Sequence, residues 1–206
     1  MGWTGHSTHG FRGSPIAFLK AQTSYFVGSQ WTDGSIGYRI TALQPGAGGV
    51  YGVLARSIPG KSDVKIALII PARRKHDTLY IKTFTEFSYP YYYGMPESLF
   101  RQLSPLNDIY DQLPEENIDS ARQWRAAVAE KIENDKRYGA LVAGNVVQFR
   151  DPITFYVDGQ PIVLRELTVA NIGRTIRFFG KRPNGAQFLC SLSRRTKRDN
   201  LVVSVS

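Results

Sequence analysis

Two runs of short apolar segments, each punctuated by glycine and proline at hairpin spacing, frame a helical middle, and this pattern confines the chain to an antiparallel α+β fold. In the first run the strand candidates are residues 25–27, 36–40, 50–55, 65–70 and 79–84. Between them stand Asp33-Gly34, Pro45-Gly46, Gly48-Gly49, Pro59-Gly60 and Pro71. These separators supply the positive or fixed φ that tight turns need. The spacing predicts an antiparallel β-meander. Pro15 ahead of Phe18 and Leu19 predicts a short helix covering one face of it.

The middle carries helix punctuation instead. Pro96 suits the first turn of a helix bearing Leu99, Phe100 and Leu103, and Pro105 ends it by disfavouring helical geometry at Ser104. A second helix is expected to start at Asp119 or Ser120, either of which can cap free N–H groups. Trp124, Val128 and Ile132 follow at i, i+4 and i+8 on one face, with Glu133 and Arg137 on another. From Gly144 onward short strands return at residues 146–149, 153–157, 162–169, 174–179, 187–192 and 201–205, with Asp158-Gly159 and Asn184-Gly185 as hairpin turns. The predicted organisation is an antiparallel sheet with helices over residues 1–140, then a small basic all-β, barrel-like domain over 141–206, SH3-like or OB-like.

A share of 42% hydrophobic residues suffices for a buried core, so a disordered chain is excluded. No apolar run is long enough to span a bilayer and the N-terminus lacks a signal-peptide pattern, so a cytoplasmic protein without a membrane partner is expected. Met1-Gly2 fails the myristoylation pattern because His6 stands where Ser or Thr is required. The single cysteine, Cys190, rules out an internal disulfide and a thiolate cluster, and its apolar neighbours Phe188, Leu189 and Leu192 point to a buried, inert thiol.

Met1-Gly2-Trp3-Thr4 with His6 and His9, residues 24–28, Pro90-Tyr91-Tyr92-Tyr93-Gly94-Met95-Pro96 with Leu99 and Leu103-Ser104-Pro105, Trp124-Arg125, residues 147–153, and Pro183-Asn184-Gly185 stand out as phrases. Together they resemble an uncharacterised family encoded by bacteriophages and mobile elements. The segment after His9 is shorter than in that pattern, and Met95 stands where Cys is usual. The resemblance implies a phage context within a bacterial host and brings no activity with it.

Charge then narrows the partner. Residues 1–105 carry 11 basic and 5 acidic groups, residues 106–136 carry 4 and 8, and residues 137–206 carry 11 and 4, for a net +9. Two basic lobes around an acidic connector favour an anionic partner, either nucleic acid or an acidic surface of a host protein. Between Arg174 and Arg198 lie eight Lys or Arg and no Asp or Glu: Arg174, Arg177, Lys181, Arg182, Arg194, Arg195, Lys197 and Arg198, interleaved with Phe178, Phe179 and Phe188. Strand alternation starting at Arg174 mixes cations and apolar groups on both faces, which moves the expected contact to the loops at Lys181-Arg182 and Arg194 to Arg198. Arg73, Arg74 and Lys75, placed just past a strand, form a further basic cluster, and Tyr89, Tyr91, Tyr92 and Tyr93 offer flat contact area for a protein interface or for base stacking. No recognition helix marks sequence readout. His6, His9 and His76 are too few and too scattered for a metal site, Gly46-Ala47-Gly48-Gly49 lacks the Lys-Ser/Thr of a phosphate loop, and no nucleophile elbow is present. No catalytic residue, metal or cofactor is assigned. The expectation is a nucleic-acid-binding protein, the alternative a module that inhibits or recruits a host enzyme or defence complex, with an enzyme of unrecognised type in reserve.

Overall fold

The computed structural model describes residues 3–7, 11, 13–21, 25–33, 35–60, 62–88, 90–109, 115–172, 175–192 and 202–205. The chain is α+β: antiparallel sheets with a few helices. It divides into two compact units, residues 1–130 and 131–206. The division falls inside a helix and not after it.

In the first unit β1 (Thr4–Ser7), α1 (Pro15–Ala21), β2 (Gln30–Asp33), β3 (Ile36–Gly46), β4 (Gly49–Arg56), β5 (Val64–Lys75), β6 (Thr78–Ile81) and β7 (Phe84–Thr85) follow in order. The strands form one seven-stranded sheet in the order β1-β6-β5-β4-β3-β2, with β7 also on β5. The central strands β4 and β5 are the most apolar and are buried on both faces: Val53, Leu54, Ala67, Leu68, Ile69 and Ile70 are all enclosed. Phe18 and Leu19 of α1 join that core, as the Pro15 start predicts.

Three expectations change here. Residues 25–27 are not a strand: the Phe26 N–H donates to Ser29 Oγ and the Ser29 N–H to the Phe26 carbonyl, which closes a turn, and β2 begins only at Gln30. Pro71 does not end its strand. It lies inside β5 opposite Gly49, where β5 passes from pairing with β4 to pairing with β6, so its missing N–H falls where the ladder changes partner. Consequently Arg73, Arg74 and Lys75 belong to β5, paired with Tyr80, Leu79 and Thr78.

The helices α2 (Glu97–Phe100) and α3 (Glu115–Gly139) complete the middle. Pro96 caps α2 in extended geometry. α3 starts at Glu115, ahead of the expected Asp119 or Ser120, because Ile118 and Ala121 already belong to its buried stripe with Trp124 and Val128. Glu133 is held by Lys136 at 2.8 Å.

The second unit is a five-stranded antiparallel sheet, β11-β10-β9-β8-β12, built from β8 (Val146–Val157), β9 (Gln160–Asn171), β10 (Arg177–Lys181), β11 (Gln187–Ser191) and β12 (Val202–Val205). Two predicted strands merge into β8, which a register shift between Gln148 and Ile153 bends about the core. That core gathers Leu141, Val147, Phe149, Ile153, Leu167, Val169, Phe178 and Leu192, with Tyr138 at the end of α3 packed against it. Asp158 and Gly159, with φ of 53° and 77°, make the two-residue turn between β8 and β9 that their identities predict. Among the described residues no helix is long and apolar enough to cross a membrane.

Candidate functional site

The phase of alternation along β10 decides what the basic stripe presents. Phe178 is fully buried and meets Phe149 edge-on at 6.5 Å between centroids. Gly180 faces inward with it, because a Cβ there would stand 2.6 Å from the Phe188 ring. Arg177, Phe179 and Lys181 therefore share the opposite, exposed face. The strand starts at Arg177 and not at Arg174, and the mixture expected on both faces resolves into one apolar face and one carrying cations around an aromatic ring.

Register extends this face across its neighbours. Phe179 stands opposite Leu189 of β11 and Thr168 of β9, while Arg177 and Lys181 stand opposite Ser191 and Gln187. Phe179 and Leu189 are 39% and 50% exposed, large apolar groups where a sheet with one solvated face ordinarily places polar ones. Arg165, also exposed, adds a cation on β9. Among the described residues Arg165, Arg177 and Lys181 make no ion pair. Arg182 differs: its guanidinium is 2.8 Å from Asp158, so the Lys181-Arg182 turn offers one uncommitted cation and not two. Glu166, an exposed carboxylate of β9, accepts from Gln148 Nε2 at 3.4 Å. Arg174, Arg194, Arg195, Lys197 and Arg198 lie outside the described residues.

The two other sequence candidates have work inside the fold. Arg73 lies over the rings of Trp3 and Tyr80, at 4.4 and 5.5 Å, and Arg74 donates to the Phe11 carbonyl, so two members of the basic cluster hold the N-terminal segment. Lys75 ends β5, exposed. Of the tyrosines, Tyr89 lies outside the described residues. Tyr92 is half-buried, its carbonyl accepting from Trp124 Nε1 at 3.1 Å and its ring beside Phe84. Tyr93 is half-buried and Tyr91 is 82% exposed. Just beyond them Gly94 donates to the Tyr51 hydroxyl, which in turn donates to the Ala47 carbonyl, both at 2.9 Å. A Cβ on Gly94 would stand 2.3 Å from the Ala47 oxygen, so only glycine allows this approach. The tyrosine segment is thus clamped onto the Gly46 to Gly49 turn.

Elsewhere, His6 of β1 packs edge-on against Phe18, and His9 lies outside the described residues. Burial pushes the Cys190 thiol up to about 11, and its Sγ lies 3.5 Å from the Phe178 carbonyl, an arrangement that favours the unreactive protonated form. A polar depression of about 520 Å³ is lined by Ser62, Asp63, Ser104, Asn107 and Asp108 among others, and Asp63 in it is engaged by Ser57. What the sequence did not suggest is a buried ion pair: Glu86, fully enclosed, receives Arg125 Nε and a second guanidinium nitrogen at 2.5 and 2.9 Å. Arg165 and Leu189 were missed as well, although reading β9 and β11 from Phe178 outward would have found them.

Residues 115–195 match the model of a domain of unknown function, DUF6927. The matched stretch runs from the start of α3 past β11, and so contains Arg165, Arg177, Phe179, Lys181 and Leu189. No curated protein and no solved structure matches the chain.

Proposed function

We propose that this chain is a binding protein of a bacteriophage or mobile element that holds nucleic acid without sequence preference through the basic side chains of its C-terminal sheet and loops. The observation that carries the reading is the exposed face of β10, on which Arg177 and Lys181 flank Phe179 and, among the described residues, form no ion pair with a carboxylate. Long cations of this kind contact phosphates, and phosphate contacts yield affinity without base readout. Arg165 adds to the same charge, and Arg194, Arg195, Lys197 and Arg198 follow directly in sequence. The phage context rests on the family resemblance of the N-terminal and central phrases. The expected result is that replacing Arg177 and Lys181 by Ala weakens DNA and RNA binding in an electrophoretic shift, and that adding Ala at Arg194, Arg195, Lys197 and Arg198 abolishes it. Unchanged binding in the sixfold variant sinks the proposal.

A second reading, a module that docks on a host protein, is favoured by one feature: Tyr91 is 82% exposed on a segment that Tyr51 and Trp124 hold in place. A rigid, exposed tyrosine is a low-entropy anchor. Retention of a host partner after nuclease treatment, lost on Tyr91→Ala, supports this reading over the first.

A further inference from the structure

We infer that the face of β10 and β11 takes nucleic acid in its single-stranded form, with a base stacked on Phe179 between the phosphate contacts of Arg177 and Lys181. This rests on the nucleic-acid reading above and narrows its substrate. Phe178 already serves the core at full burial, so the adjacent Phe179, 39% exposed, is available to a ligand. Alternate residues of a strand stand about 6.7 Å apart, which places each cation one step along from the ring, on the same side of the sheet. Leu189, in register with Phe179 and 50% exposed, extends the apolar platform, and Thr168 on the other side brings a hydroxyl beside it.

A duplex offers such a ring no base face, because its bases are stacked on one another and only their edges reach the grooves. An unpaired strand exposes a π-face to an aromatic side chain and its backbone to the flanking cations, which is how sequence-tolerant single-strand binders combine stacking with charge. An acidic peptide would satisfy Arg177 and Lys181 but has no use for an exposed ring between them.

The test is fluorescence anisotropy of the full chain with a labelled single strand and with the duplex of the same sequence. Phe179→Ala is expected to weaken the single strand about tenfold while leaving the duplex within about twofold, the loss of one stacked base. Phe179→Trp is expected to retain binding, with new tryptophan emission that the single strand quenches. Equal affinity for strand and duplex with Phe179→Ala inert overturns this inference and leaves the broader nucleic-acid reading standing. The same holds if Phe179→Ala weakens both forms alike. Binding of polyglutamate as tightly as the single strand also overturns it, and binding of neither nucleic acid form removes the broader reading with it.

Discussion

The guanidinium of Arg125 reaches three acceptors at once: both oxygens of Glu86, and the Ser104 carbonyl at 2.5 Å. Glu86 also accepts from the Ala67 N–H of β5, so one charge pair joins α3, the central sheet and the segment after α2. Removing one member leaves the other charge enclosed without compensation, and Arg125→Met is expected to cost about 3–5 kcal/mol, read from urea denaturation. A cost below about 1 kcal/mol would show that the carboxylate finds water instead. This pair was not legible in the sequence. Arg125 beside Trp124 reads as an exposed neighbour of a core residue, and its partner lies 39 positions earlier, a separation no local pattern spans. Phe178 and Phe179 make the same point: alternation says that they part, but only the register with Val169 and Leu189 says which one is buried.

Turns and helices were far more legible, because their chemistry is local. Asp158-Gly159 makes its hairpin, and α1 starts at Pro15. The errors of extent arose where tertiary contacts override punctuation: Pro71 continues within β5, and α3 extends back to Glu115. The clamp between the Gly46 to Gly49 turn and Gly94 belongs to this scale and has a pH signature. Burial, the largest influence, pushes the Tyr51 hydroxyl up to about 12 from its ordinary 10. The folded state thus holds the proton more tightly, and the stability this confers is complete below pH 10 and lost as pH rises through about 12. Tyr51→Phe is expected to cost about 1–3 kcal/mol at neutral pH, from the orphaned Gly94 N–H and Ala47 carbonyl. It should also lose less stability than the native chain between neutral pH and pH 11, measured as denaturation midpoints. Equal losses in the two proteins would show that the hydroxyl is ionised as easily in the fold as out of it.

At the scale of the molecule, net charge +9 is distributed as basic ends around an acidic middle. If the C-terminal cations bind a single strand, affinity falls linearly with salt on logarithmic axes, and replacing Arg177 and Lys181 by Ala is expected to reduce that slope by about 1.4, near 0.7 for each phosphate no longer neutralised. An unchanged slope in a titration of bound fraction against salt would place these two side chains away from the backbone of the ligand. The fold class, the sequence of sheet, helical middle and second sheet, the Asp158-Gly159 hairpin and the excess of cations follow from the chain alone, since each depends on residue type and near-neighbour spacing. Which cations are committed is another matter: Arg73 turns to Trp3, Arg74 to Phe11 and Arg182 to Asp158, while Arg177 and Lys181 make no ion pair among the described residues. Those assignments depend on which distant strands lie side by side and in what register, and that is settled by how the apolar faces of β4, β5 and β10 bury themselves, a property of the packed chain and not of any stretch of it.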